Sequence, residues 1–298
     1  MNLIALLLGL LVERAATRVL HLRELRWMDP YFDAVFRLIQ GAPAGLAYLA
    51  AALAVVLPVL PVLGLALAFR DVLNGLLYIA FAAPVLAFSL GPRDLGDEVD
   101  EYADAVTRGD EEAVGHLERA LTEGETQAEP GRRALAVEEA VLVRANSRIF
   151  GVIFWFMVLG PSGAWLFRVT DLMRRRAVFE AGRARTAGNP ERECLVVSQT
   201  LFGLVAWIPA RLLAIGYAMA GSFEDAVSDW KKYYETCSDK FFHVNDEILA
   251  CSGRGAIRER FDASSQLQPV HEAMRLVKRT LLIWLTAIAI LTVLGQVG

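Results

Sequence analysis

Residues 38–69 read LIQGAPAGLAYLAAALAVVLPVLPVLGLALAF, 32 positions without one charged side chain. About 20 apolar residues cross the hydrocarbon core of a bilayer as a helix, so this run suits a membrane and not a small soluble core. Working outward, residues 72–92 add 21 uncharged positions, 149–167 add 19, 194–210 add 17 and 280–298 add 19. The fold class that follows is all-α: a polytopic integral membrane helical bundle with amphipathic and cytoplasmic helices. The 298 residues are 55% hydrophobic, and it is the clustering of those residues into runs that decides the class.

Composition also excludes. A net charge of −4 leaves no basic face to track phosphates, so nucleic acid is not an expected partner. Cys194, Cys237 and Cys251 lack CxxC spacing, and His21, His116, His243 and His271 stand isolated in sequence. Neither a disulfide framework nor a metal site is expected, and no cofactor. Membrane lipids are the expected surroundings.

Residues 1–43 read as a membrane-entering helix, Asn2–Leu20, and a basic stretch reaching Arg37. No basic start or small-residue cleavage motif marks the apolar run as a secretory signal. Residues 44–90 form a transmembrane hairpin, with arms Ala44–Phe69 and Val72–Leu90 turning at Arg70-Asp71. Pro58 and Pro61 should bend the first arm, with neighbouring helices satisfying the freed carbonyls. Five arginines lie in 13–41 and seven in 91–148, against one in the turn, so both flanks are cytoplasmic.

Residues 91–148 form an acidic cytoplasmic loop with seven Arg against fifteen Asp and Glu. Stripes Val99, Tyr102, Ala103, Val106 and Val114, Leu117, Leu121 predict helices over Asp97–Val106 and Glu111–Leu121, joined at Arg108-Gly109-Asp110. Thr126–Gly131 reads as a loop and Ala134–Ser147 as a further helix. The acidic run reads chiefly as a solvated face.

Residues 149–221 are the unusual part. Gly160-Pro161-Ser162-Gly163 interrupts the first apolar segment, and Pro209 with Arg211 interrupts the second. An arginine at membrane depth costs about 2.5–3.5 kcal/mol and calls for a partner. Broken helices there are tolerated where they line a cavity, so a pocket is expected. Full crossing would place 168–194, with seven arginines, outside and against the positive-inside rule. The preferred reading is a kinked pair that stays with the cytoplasmic side; the competing one makes the prolines simple kinks and lets Arg211 snorkel.

Residues 222–279 carry nine basic and ten acidic residues, with an amphipathic helix over Phe223–Tyr234. Ser252–Gly255 reads as a turn. Residues 280–298 supply the last transmembrane helix, Leu281–Leu294, with Arg275, Lys278 and Arg279 on its cytoplasmic edge and an external C-terminus.

Several blocks carry a family likeness: Met1-Asn2-Leu3 with Val12-Glu13-Arg14, Phe154-Trp155-Phe156 through Gly160-Pro161-Ser162-Gly163-Ala164 to Phe167-Arg168, and Trp207-Ile208-Pro209-Ala210-Arg211-Leu212. They resemble AmpE nearly end to end. That resemblance implies a bacterial inner-membrane protein tied to β-lactamase regulation, the antibiotic response and peptidoglycan recycling. AmpE is itself similar to the CobD/CbiB family, which makes adenosylcobinamide phosphate. This chain departs from that family's acidic positions: Phe150-Gly151-Val152-Ile153 lacks the acid, Arg168-Val169-Thr170-Asp171 lacks the Asn, and Leu201–Ala206 has no acid before Trp207. His243-Val244-Asn245 replaces a Ser-Pro-Asn.

The polar residues retained against that pattern are Arg168, Asp171, Arg211 and Asn245, with Trp207 beside them. Arginine matches carboxylate and phosphate geometry bidentately, so an anionic small molecule is the expected ligand and these five residues its site. They offer no metal cage and no nucleophile–base pair, so no catalytic residue is assigned. They read either as a pocket kept after catalysis was lost or as structural salt bridges. The leading reading is a non-catalytic modulator or sensor; the alternative is a membrane enzyme forming an amide bond on a corrinoid. A transporter ranks last, because no internal repeat supports it. Small residues such as Ala50, Ala51, Ala52 and Ala54 suggest close helix packing and a homo-oligomer.

Overall fold

The computed structural model describes residues 2–16, 25–70, 72–90, 94–123, 126–127, 129–186, 193–236, 244–257 and 267–295, and among them every extended element is a helix. Four helices are long and apolar enough to cross a membrane: Ala44–Phe69, Pro130–Leu159, Glu193–Ala220 and Gln268–Val293. The chain divides into two units, Met1–Pro92 with Gly151–Trp207, and Arg93–Phe150 with Ile208–Gln296.

In the first unit, α1 (Asn2–Ala16) lies along α5 (Leu76–Ser89). Gly9 permits this approach, since a Cβ there would stand 2.7 Å from Leu86 Cδ2. The arm Ala44–Phe69 is α3 (Ala44–Val56) and α4 (Val59–Phe69), and α5 starts later than expected, after the short helical turn Val72–Gly75. The α3 pattern is inverted relative to a soluble helix: Ala47, Ala51 and Ala54 are buried while Leu46, Leu49 and Leu53 face outward. Small residues let backbones pack, and large ones meet lipid. Ala51 and Ala54 are thus already used inside the chain, against Phe32, Val35, Phe36 and Ile39 of α2 (Asp29–Ile39).

The Gly160-Pro161 break is a reversal and not a bend. Helices α9 (Gly151–Leu159) and α10 (Pro161–Thr186) fold back on each other at Gly160, whose φ of 65° suits glycine. Gly163 sits against the Trp155 backbone, and a Cβ at Gly151 would overlap the Phe167 ring, so the two arms of the hairpin are in register 151 to 167. Helix α9 is the end of the continuous helix Pro130–Leu159, and past Gly160 the chain runs back alongside it. The arginine-rich part of α10 therefore returns toward the level from which α9 departs.

Proline leaves carbonyls for others to fill. Pro58 has no N–H for Ala54 O, and the Tyr31 hydroxyl donates to that oxygen at 2.9 Å. Pro209, inside α11 (Glu193–Ala220), has none for Val205 O, and Trp155 Nε1 donates there at 3.0 Å. Trp155→Phe keeps the ring and strands the carbonyl, so thermal unfolding in mild detergent should show a loss of about 1–3 kcal/mol. Phe154→Leu, which touches neither proline-freed carbonyl, is the control; an equal loss would mean that ring packing alone is being read.

In the second unit, α6 (Leu95–Arg108) and α7 (Glu111–Thr122) form close to the expected boundaries. Asp94 and Asp110 cap them by accepting from Gly96 N (2.8 Å) and Ala113 N (3.0 Å). Helix α8 spans Pro130–Ala145 and continues as one π-helical turn, Asn146–Phe150. It begins before the expected Ala134 because Pro130 takes the first helical position. Helices α12 (Phe223–Thr236), α13 (Val244–Ala256) and α14 (Gln268–Val293) complete the unit.

Two expectations change here. Ser252–Gly255 is not a turn but lies within α13. Its glycines serve close packing: a Cβ at Gly253 would stand 2.7 Å from Leu142 Cδ1, and one at Gly255 2.9 Å from Ala226 Cα. The last helix begins at Gln268, well before the expected Leu281, and Val270, Ala273, Leu276 and Val277 are buried in the unit's core. His21, Cys237 and His243 fall outside the described residues, as does Asp71 of the expected turn.

Candidate functional site

Of the five residues singled out in the sequence, Arg168, Asp171 and Trp207 belong to the first unit, and Arg211 and Asn245 to the second. Each unit holds a polar cluster of its own.

In the first unit the centre is Asp171 on α10, which is 0% exposed. Arg168, one turn earlier and 1% exposed, donates to Asp171 Oδ2 at 3.2 Å. Arg174 and Arg175, one turn later, reach the same carboxylate at 2.9 and 2.8 Å. Spacings of three and four residues place all of them on one helical face. This quartet gathers three guanidiniums on one carboxylate. Arg176 points elsewhere, forking both oxygens of Asp33 at 2.8 Å, and that hydrogen bond holds its guanidinium above the ordinary arginine range. Trp207 is half-buried on α11. Sequence reasoning found Arg168 and Asp171 but missed Arg174 and Arg175, although their spacing from Asp171 was the available signal.

In the second unit, the Arg211 guanidinium donates to Asn245 Oδ1. Arg211 thus has a specific protein partner. Sequence reasoning missed the rest: Arg148, in the π-helical turn, pairs with Glu98 of α6 at 2.7 Å, and both are buried. Asn146 and Ser147 beside it are buried too. No motif announces these residues, because the turn that turns them inward is a property of the folded helix.

Farther along α6, the Tyr102 hydroxyl is pushed up to about 12, chiefly by burial, with Arg133 opposing and Glu118 and Glu111 adding to the rise. The folded state favours the neutral hydroxyl, whose ordinary value is 10.0. Its contribution is therefore complete below pH 10 and declines between 10 and 12, by about 2–3 kcal/mol across that window. Tyr102→Phe should flatten the alkaline limb of a stability profile by that amount and leave the neutral region unchanged. An unaltered alkaline limb would mean that the hydroxyl titrates normally.

Among the described residues, no three His, Cys, Asp or Glu side chains gather as a metal cage. In both clusters carboxylate or amide oxygens hold guanidiniums in fixed directions.

Comparison with known proteins adds identity to this geometry. The family model for "Regulatory signalling modulator protein AmpE" matches residues 1–297. The chain is 28% identical over 148 residues to the cobalamin biosynthesis protein CobD of Stutzerimonas stutzeri, covering 49% of this chain and 46% of that protein. It is 24% identical over 231 residues to CobD of Chromobacterium violaceum, covering 70% of each. The chain thus spans about half the length of the first of these relatives. No solved structure matches it.

Proposed function

Because the chain belongs to the AmpE family, we propose that it is a regulatory signalling modulator of the bacterial inner membrane, acting in β-lactamase regulation and peptidoglycan recycling without catalysing a reaction itself. Its input is an anionic small molecule. The observation that supports this reading is the quartet on α10, where three guanidiniums share one fully buried carboxylate. Guanidiniums match the oxygens of a carboxylate or phosphate in geometry and charge, and they do so more strongly where water is sparse.

Arg168→Ala and Arg175→Gln test it. In protein that accumulates in the membrane to wild-type level, both variants are expected to reduce β-lactamase induction by a β-lactam several-fold. Unchanged induction in well-folded variants would make the quartet a purely structural feature. Arg175→Gln is the safer of the two, since Arg175 retains 21% exposure and its loss leaves Arg168 and Arg174 on the carboxylate.

The two CobD relatives favour a second reading, a membrane enzyme of the cobinamide-phosphate synthase type that forms an amide bond on a corrinoid. Rescue of a strain lacking that synthase would support it, and failure with well-expressed protein would count against it.

A further inference from the structure

Asn146 opens the π-helical turn, is 4% exposed, and its Oδ1 has no hydrogen-bond partner among the described residues. Single widened turns of this kind recur at functional sites, and folded proteins rarely leave a buried amide oxygen unpaired unless something else uses it.

Contacts within the second unit set the directions and relative heights of its helices. Glu139 meets Arg254 at 3.3 Å and Leu142 meets Gly253, so α8 and α13 run antiparallel. Arg211 meets Asn245 and Gly221 meets Ala256, so this part of α11 runs parallel to α13. The Tyr217 hydroxyl donates to Leu142 O at 2.8 Å, giving a common reference level. At about 1.5 Å per residue, Asn146 lies about 6 Å beyond that level along α8, and Arg148 about 9 Å. In the same direction Arg211 lies about 9 Å along α11, and Asn245 about 12 Å from Gly253 along α13. Glu98 pairs with Arg148 there. Sequence positions a hundred residues apart therefore lie at similar heights along the helices of this unit, Arg211 half-buried and Asn146 buried.

We propose that Asn146, Arg211 and Asn245 form a binding site for a small carboxylate that carries an N–H or O–H donor beside its carboxyl group, as an N-acylated amino acid does. The ligand's carboxylate takes donors of Arg211, whose orientation Asn245 sets, and its N–H or O–H donates to Asn146 Oδ1. A phosphate monoester fits less well. Its second pKa is about 6, so near neutral pH it is largely a dianion without a proton to offer, and its oxygens would oppose Asn146 Oδ1. The site lies in the second unit alone and does not rest on the α10 quartet.

The test uses the full chain in mild detergent at about pH 8, N-acetylglycine as probe, and propionate and methyl phosphate as comparisons. N-acetylglycine at tens of millimolar is expected to raise the unfolding temperature by about 2–4 °C. Propionate and methyl phosphate should produce less than half of that shift. Asn146→Leu removes an unpaired acceptor, so its ligand-free unfolding temperature should equal or exceed wild type while the N-acetylglycine shift disappears. Asn146→Asp, which keeps the shape but adds a charge against the carboxylate, decides the matter if the leucine variant does not fold; it too should lose the shift. Arg168→Ala should keep it, which separates this site from the α10 quartet. The proposal is overturned if wild type shows no shift, if propionate or methyl phosphate matches N-acetylglycine, or if the folded Asn146 variants respond as wild type does. A lower ligand-free unfolding temperature for folded Asn146→Leu would likewise overturn it, by making Asn146 a structural side chain.

Discussion

Asp171→Asn is expected to be the most damaging conservative substitution in the first unit, lowering stability by about 3–5 kcal/mol and sharply reducing the amount of folded protein recovered from membranes. The carboxylate is fully buried and holds Arg168, Arg174 and Arg175. The amide keeps the shape but withdraws the buried negative charge that three guanidiniums share. Removing one member of a buried pair is far worse than never having built it, because the partner's desolvation is left uncompensated. Glu180→Gln provides the contrast. Glu180 pairs with Arg176 at 2.8 Å but is partly exposed, and solvent screening should hold its loss to within about 1 kcal/mol. Thermal unfolding of both variants in the same detergent decides the matter. Equal effects would mean that the Asp171 cluster is better hydrated than its burial implies.

Gly163→Ala carries the second large effect. The added Cβ would overlap the Trp155 carbonyl oxygen and stand 2.7 Å from Leu159 Cβ and 2.9 Å from the Trp155 carbonyl carbon. Those are mostly backbone atoms, which cannot rotate away as a side-chain tip can. The α9–α10 hairpin must then open, at a penalty of about 3 kcal/mol or more. Trp155 would be displaced as well, and with it the donor to Val205 O, so the damage should spread to α11. Gly182→Ala, later in the same helix, meets nothing within 4 Å. There alanine's better helix propensity should stabilise by up to about 1 kcal/mol. Opposite signs for one substitution on one helix would establish the hairpin by stability alone. A neutral Gly163→Ala would instead require α9 and α10 to continue as one bent helix.

The hairpin also shows where sequence reading stops. Gly160-Pro161 was legible as a break, and the arginine count in 168–194 argued against an outward crossing. Whether the break bends a helix or reverses it depends on Gly151 facing Phe167 and Gly163 facing Trp155, contacts that no local pattern encodes. The glycines of Ser252–Gly255 misled for the same reason. Glycine permits turns, but it also permits two helices to touch, and only the neighbour at Leu142 or Ala226 tells which use is made of it.

By itself the sequence determined that this chain is helical and built for a membrane, because charge-free runs of bilayer length have few other stable solutions. It determined helices α6 and α7, whose signal is local, an apolar stripe on each, while the capping aspartates came with the structure. It also marked Arg211 as a residue that needs a partner, since a charge among apolar residues must be satisfied, while Arg168, Asp171 and Asn245 were singled out by the family resemblance. Only the tertiary structure decided which partners they have. It gave Asp171 two further arginines, joined Arg211 to Asn245, and divided the five expected site residues between two units. Each of these outcomes depends on helix register and crossing, which pack side chains far apart in sequence. A one-dimensional pattern fixes the need for a partner but not its address.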